Sequence, residues 1–372
     1  MIDALGVITN KPDHLILEEL TKYRNINTLP IGGKYKLIDF PLSNMVNTGM
    51  KKIGVIGNHR YKSLVEHLGT GQEWSLNRKN KGLSVLHGAN YLFFDEFPTI
   101  NLMDFHANIE FFEQTSRNSI IISSSHVISK VDYDKVLEEH RQQGADITLI
   151  YSPEVDVCST KDDLYLNLDA SNSWVAGISE DPSTDHKGVF LDMLIINRQL
   201  LLKLIEECDR HNLNWDLMKL LQYNTGRFKI SAYPYKGYFC KISSVSQYFK
   251  CSMDFLNPVI KKEIFNEEHK IHTNVKDNHP TRYGYTGEVN NSLIASGCLL
   301  EGQINSSIIF RKVHVQSDSQ IKRSIIMDRC QIGRHVHLEN VIIDRNVTIK
   351  DHIVLKGRED APIVIGKGRI IG

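Results

Sequence analysis

The sequence predicts an α/β fold in two parts, a mostly parallel sheet followed by a parallel β-helix. Its 372 residues are enough for two domains. Near the start, an apolar strand, a glycine turn, a helical run and a second apolar strand follow one another, the order that builds a parallel sheet. From Leu293 onward, apolar residues come as doublets separated by one residue, at five- or six-residue intervals. That is the hexapeptide rhythm of stacked coils.

Bulk properties narrow the function classes. Lysine plus arginine and aspartate plus glutamate both number 44, so the formal net charge is zero. Nothing in the bulk charge draws the chain to nucleic acid or a membrane surface. The six cysteines (Cys158, Cys208, Cys240, Cys251, Cys298 and Cys330) include no C-x-x-C pair. This argues against a zinc knuckle or a thioredoxin-type motif and fits a reduced, cytoplasmic compartment. No signal peptide is expected, because no basic segment precedes a long apolar core. No apolar run approaches the ~18 residues of a membrane span.

The chain is organised around residues 29–49, LPIGGKYKLIDFPLSNMVNTG. Pro30 and the pair Gly32-Gly33 are turn chemistry. Pro41 suits a first helical turn, Leu42, Met45 and Val46 recur at helical spacing, and Thr48-Gly49 supplies the stop. Apolar strands flank the stretch at Ala4 to Thr9 and Lys52 to Gly57. The string P-x-G-G-K-Y-[RK]-L-I-D-F-P-L-S-N-x-x-N-[ST]-G resembles the signature of the glucose-1-phosphate adenylyltransferases of bacterial glycogen synthesis. The resemblance runs nearly the full chain. It implies a Rossmann-like nucleotidyltransferase domain followed by a left-handed parallel β-helix, in a tetramer. In active relatives ATP and glucose 1-phosphate give ADP-glucose and diphosphate, with Mg²⁺. Gly32, Gly33, Lys34 and Asp216 are then remnants of the substrate pocket. Asp216 is equally well explained as a helix N-terminal acid.

The chemical groups of that family are replaced at five places. After the first strand, relatives carry a glycine-rich loop, G-G-x-G-x-R-L, whose backbone N–H groups approach phosphate. This chain has Asn10-Lys11-Pro12-Asp13-His14 and no glycine between Gly6 and Gly32. Ile100-Asn101-Leu102-Met103-Asp104 aligns with the substrate-facing G-T-A-D-A. In S-G-D-H the metal-holding aspartate becomes Ser125, and the neighbouring His126 is read as packed rather than as a base. A hydroxyl is a poor partner for a hard divalent cation. Asp181 replaces the lysine that grips the sugar phosphate. In W-x-D-[VI]-G-T the second metal aspartate becomes Lys241. At ~4 Å and an effective dielectric of ~20, one unit pair of like charges costs roughly 4 kcal/mol. Arg24 aligns with the arginine of R-A-K-P-A-V-P, but that string's lysine is Ile26, which argues against an activator site of that type.

Elsewhere the framework is retained. Helices are expected at 64–68, 107–112, 133–140, 200–207 and 245–255, with strands at 82–86, 119–123 and 147–151; 188–197 resembles the family's sugar-pocket-wall strand, and 230–238 is close to the family string. A hairpin is expected around 165–168 and 174–178, and Pro258 marks the exit from the last helix. The domains are read as 1–256 nucleotidyltransferase-like, 257–290 linker and 291–372 β-helix. Doublets such as Val313 and Val315, Val336 and Leu338, and Val347 and Ile349 point inward and bury one apolar column.

Framework kept and chemistry lost resembles the regulatory subunit that some Gram-positive bacteria pair with a catalytic homologue. The expectation is a non-catalytic or barely active chain with no catalytic residues, no metal site and no cofactor of its own, the Mg²⁺ residing in the catalytic homologue. Its partner is that homologue, in a heterotetramer, with a homo-oligomer possible when alone. One alternative is an active sugar-phosphate nucleotidyltransferase with a rewritten site. Another is a β-helix acyltransferase using His335, His337 or His352, which are better read as solvent-facing corner histidines.

Overall fold

In the computed structural model, residues 3–10, 17–57, 60–78, 82–88, 100–154, 163–181, 186–211 and 215–372 are described. The expected changes at Pro12, Asp13 and their neighbours lie outside these residues.

Six consecutive buried residues make β1 (Ala4–Thr9) an interior strand with no polar face. A small hairpin, β2 (Pro30–Ile31) and β3 (Tyr35–Lys36), turns at Gly32 and Gly33, both with positive φ. It leads into α1 (Asp39–Asn47), which ends at Gly49, φ +83°. Then come β4 (Ile53–Gly57), α2 (Lys62–Leu68) and β5 (Leu83–His87). The helix expected over 107–112 is instead two short ones, α3 (Leu102–His106) and α4 (Ile109–Glu113). Asn108 separates them, its amide bonding the Asp104 carbonyl and the His87 carbonyl of the neighbouring strand.

The sheet continues through β6 (Ser119–Ser124), β7 (Val127–Ser129), α5 (Tyr133–Gln143), β8 (Ile147–Ser152), β9 (Tyr165–Leu168), β10 (Val175–Ser179) and β11 (Gly188–Asn197). After α6 (Arg198–His211) and α7 (Leu217–Tyr223) come β12 (Ile230–Pro234), β13 (Phe239–Lys241), α8 (Val245–Asp254) and α9 (Pro258–Ile264). Pro258, expected as an exit, opens α9 at a first-turn position, where a missing N–H costs nothing.

Among the described residues the main sheet has nine strands, in the order β10-β9-β11-β6-β1-β4-β5, with β8 pairing β11 and β12 pairing β8. Pairing is parallel among β6, β1, β4 and β5, and between β8 and β12. It is antiparallel where β11 meets β6, β8 and β9. A β-bulge interrupts β11 between Phe190 and Met193.

Parallel coil pairing begins with β14 (Arg282–Tyr283) and β15 (Glu288–Asn290), inside the stretch read as linker, and continues with β16 (Leu293–Ile294) just beyond it. β14 and β15 are short and largely exposed and each carries a charged residue, so their sequence lacks the apolar doublets of later coils. Three sheets of six, five and five parallel strands form the left-handed parallel β-helix. Serines tie its corners together. Ser292 Oγ accepts from Ser307 N–H (3.0 Å), Ser307 Oγ from Ser324 N–H (3.1 Å) and Ser324 Oγ from Val341 N–H (3.2 Å). Ser307 and Ser324 are fully buried, so each hydroxyl satisfies an amide that water does not reach.

Alternation along the coils buries two columns. Ile309, Ile326 and Ile343 fill the helix interior. Ile308, Ile325 and Ile342 point outward into a second core with Leu29, Phe40, Ile242 and Phe255. The two domains therefore share a hydrophobic core.

Candidate functional site

Lys241 ends β13, which pairs antiparallel with β7 so that Lys241 lies opposite Val127. Ser125 and His126 immediately precede β7, and His126 O accepts the Ile242 N–H at 2.9 Å. The two positions that resemble metal-binding aspartates are thus neighbours at the strand ends. Ser125 is fully buried and donates its N–H to Thr9 O (3.1 Å) and its hydroxyl to Asn10 Oδ1 (3.5 Å).

The Lys241 side chain is buried and surrounded by oxygen. Its Nζ lies 2.7 Å from Asp163 Oδ1 and 3.2 Å from Asp192 Oδ2, and it donates to Phe190 O at 3.2 Å. The β11 bulge supplies two of these partners. It turns Asp192 to φ +53°, and bulges characteristically re-aim a side chain in this way. His126 completes the cluster, with Nε2 3.0 Å from Asp192 Oδ2 and Nδ1 2.8 Å from Ser124 Oγ. Burial by itself would lower the Lys241 pKa, but the charges of Asp192 and Asp163 outweigh it and the value is raised. Lys241 is therefore a permanent cation held by the protein's own oxygens.

This arrangement does not fit Mg²⁺. The ammonium already stands between the two carboxylates, and a divalent ion there would meet a positive charge at bonding distance. No step through a metal is derived for this chain. Asp163 and Asp192 were missed from the sequence. The signal for Asp192 was a lone acid inside the ten-residue strand GVFLDMLIIN.

The remaining sequence-derived positions do not gather at this cluster. Asp216 caps α7, its carboxylate accepting from Met218 N–H at 2.9 Å. Asp181 is exposed and donates its N–H to Ser179 Oγ at 3.0 Å. Gly32 and Gly33 face the domain junction. A Cβ on Gly32 would lie 3.1 Å from the Phe255 ring, and Gly33 lies beside the Ile309 carbonyl of the β-helix. The Lys34 carbonyl accepts from Arg311 of the β-helix at 3.3 Å. His335 and His352 stack at exposed corners with centroids 4.9 Å apart, whereas His337 lies within a strand.

At the junction the structure forms a cleft of about 330 Å³, lined by Lys276, Arg311, Lys312, Arg329, Arg345 and Lys367 against Glu66 and Asp328. It continues into a narrower part bounded by Lys34, Lys36, Ser63 and Thr28. Burial and the nearby Lys270 and Arg311 lower the Lys34 pKa, and burial with Arg24 lowers that of Arg345. Such a surplus of cations suits a multiply charged anion. Arg24 itself is committed: buried, it pairs with buried Asp344 at 2.5 Å and bonds Met327 Sδ. Ile26 is packed in the shared core.

Fold and cleft together define a nucleotidyltransferase-type α/β domain fused to a hexapeptide β-helix. Residues 17–210 match the nucleotidyl transferase family model, and residues 276–361 match the model described as GlmU-like, C-terminal hexapeptide. A glycogen biosynthesis protein GlgD of Bacillus subtilis is 31% identical over 99% of this chain and 97% of its own length. The GlgD of Geobacillus stearothermophilus is 33% identical over the same shares. A glucose-1-phosphate adenylyltransferase of Clostridium perfringens is 30% identical over 84% of this chain and 80% of its own length. The chain belongs to this nucleotidyl transferase family of GlgD proteins and glucose-1-phosphate adenylyltransferases. Among the described residues, no helix is long and apolar enough to cross a membrane.

Proposed function

We propose that this chain acts in glycogen biosynthesis as a catalytically impaired subunit that modulates a catalytic glucose-1-phosphate adenylyltransferase in a cytoplasmic hetero-oligomer. The observation that carries the reading is Lys241. Its ammonium occupies the position between Asp163 and Asp192, so the chain supplies a fixed cation where the family pattern implies a metal-holding aspartate. Transition-state charge on a transferring nucleotidyl group is stabilised by preorganised, strongly charged partners, and each missing contact costs ~2–4 kcal/mol. The framework that would meet a partner and an effector is intact. The two domains share a core, and their junction holds the cationic cleft.

The test is a rate and a mass. The purified chain is assayed with ATP, Mg²⁺ and glucose 1-phosphate, alone and mixed with a catalytic relative. The reading expects no ADP-glucose above background from the chain alone, co-elution of the two proteins, and a changed rate or effector response in the mixture. ADP-glucose at a normal rate from the chain alone, or two proteins that never associate, would overturn it.

A further inference from the structure

We propose that Lys36 is a carbamylation site, its side-chain amine combining with CO₂ to form a carbamate in the cationic cleft between the two domains. This stands independently of the function proposed above.

Carbamate formation has two structural requirements, a neutral amine and a cationic setting for the anionic product. Lys36 has both. It lies on the β2–β3 hairpin, and its backbone N–H bonds Asp39 Oδ2 at 2.9 Å, which fixes the strand end. The other Asp39 oxygen is taken by His67 Nε2 at 2.5 Å. Among the described residues, the Lys36 ammonium makes one long hydrogen bond, to Ser63 O at 3.4 Å. Burial, against the raising charge of Asp39 and with the help of Arg345, Lys276 and Arg24, pushes the amine down to about 8. About a tenth of the amine is then neutral at pH 7.

The cations that disfavour the ammonium favour its replacement by an anion. Ser63 Oγ donates to Thr28 Oγ1 at 2.8 Å and Thr28 Oγ1 to Asn25 O at 2.9 Å, so both hydroxyl protons are already placed and the cations alone receive the carbamate. This part of the cleft has a volume of about 90 Å³, room for a triatomic reagent rather than a large acyl donor. Lys34 is a natural comparison. It is less buried, and its ammonium rests over the Tyr35 ring at 5.0 Å.

The step balances without an oxidant or cofactor. The nitrogen lone pair of neutral Lys36 forms the N–C bond, one C–O π pair moves onto oxygen, and one nitrogen-bound proton leaves to solvent. The product is R–NH–COO⁻ plus H⁺.

The full chain is equilibrated near pH 8 with carbon-13 bicarbonate and treated with a trialkyloxonium salt, which converts a carbamate into a stable ester. Digestion and mass spectrometry then locate the label. The expected result is label at Lys36 at about ten-fold the occupancy of Lys62, whose side chain is 89% exposed. The label should vanish in CO₂-depleted buffer and in Lys36→Arg, and fall several-fold in Arg345→Gln. No label at Lys36, or label equal to that at Lys62, overturns the proposal.

Discussion

The Lys241 ammonium lies 2.7 Å from the Asp163 carboxylate, and both side chains are buried. A buried cation paired with two acids is stable only as a set, because removing one member leaves uncompensated charge. Lys241→Met should therefore cost about 3–5 kcal/mol at neutral pH, read by urea denaturation. The deficit should shrink under acid, where protonated carboxylates need no cation. In the native chain the raised Lys241 value puts its own pH effect at the alkaline end. Its contribution is fully present below the ordinary lysine pKa of 10.5 and is lost as pH rises through the folded-state value. A Lys241→Met variant as stable as the native chain at pH 7 would contradict this reading.

A second buried pair, Arg24 with Asp344, joins the domains. Arg24→Met leaves Asp344 unpaired inside the shared core and should destabilise the chain by about 3–5 kcal/mol. Arg24→Met with Asp344→Leu removes both charges and should recover much of that loss, giving a large coupling energy in a double-mutant cycle. Limited proteolysis at the domain junction should rise in the single variant. Additive effects in the cycle would show that the pair does not act as a unit.

Lys36 gives a pH dependence of opposite sign to that of Lys241. Its folded-state value of about 8 lies below its ordinary 10.5, so the unfolded chain binds more protons between those limits and stability rises with pH there. In CO₂-free buffer, Lys36→Met should remove this penalty and raise stability at pH 7 by at most about 3 kcal/mol. The gain should fade as pH approaches 10.5. Thermal melts across that range check it. A variant less stable than the native chain at pH 7 would reverse the sign.

The domain types and most strands were legible because their signals are local. β1 is an apolar run, β11 is one broken by Asp192, and the coil doublets alternate with period two. The outward column of Ile308, Ile325 and Ile342 was less visible, since a doublet does not say which neighbour covers its outer face. Ser125 and Lys241 stood out as departures from a family pattern. Asp163 and Asp192 did not, because what brings them to Lys241 is a bulge and a strand pairing. The cationic cleft was hidden for the same reason. Lys36, Lys276, Arg311 and Arg345 come together only when the β-helix docks on the first domain. Gly32 and Gly33 match a substrate-pocket motif, and their positive φ, with the Phe255 ring 3.1 Å from a Cβ on Gly32, also calls for glycine on backbone grounds.

The central claim is that Lys241 already fills the cation position between Asp163 and Asp192. Crystals soaked with ATP and Mn²⁺ test it through the anomalous difference map. The account predicts no anomalous peak within bonding distance of Asp163, Asp192 or Ser125, with the Lys241 ammonium still between the two carboxylates. A manganese peak there, with Lys241 displaced, would contradict it.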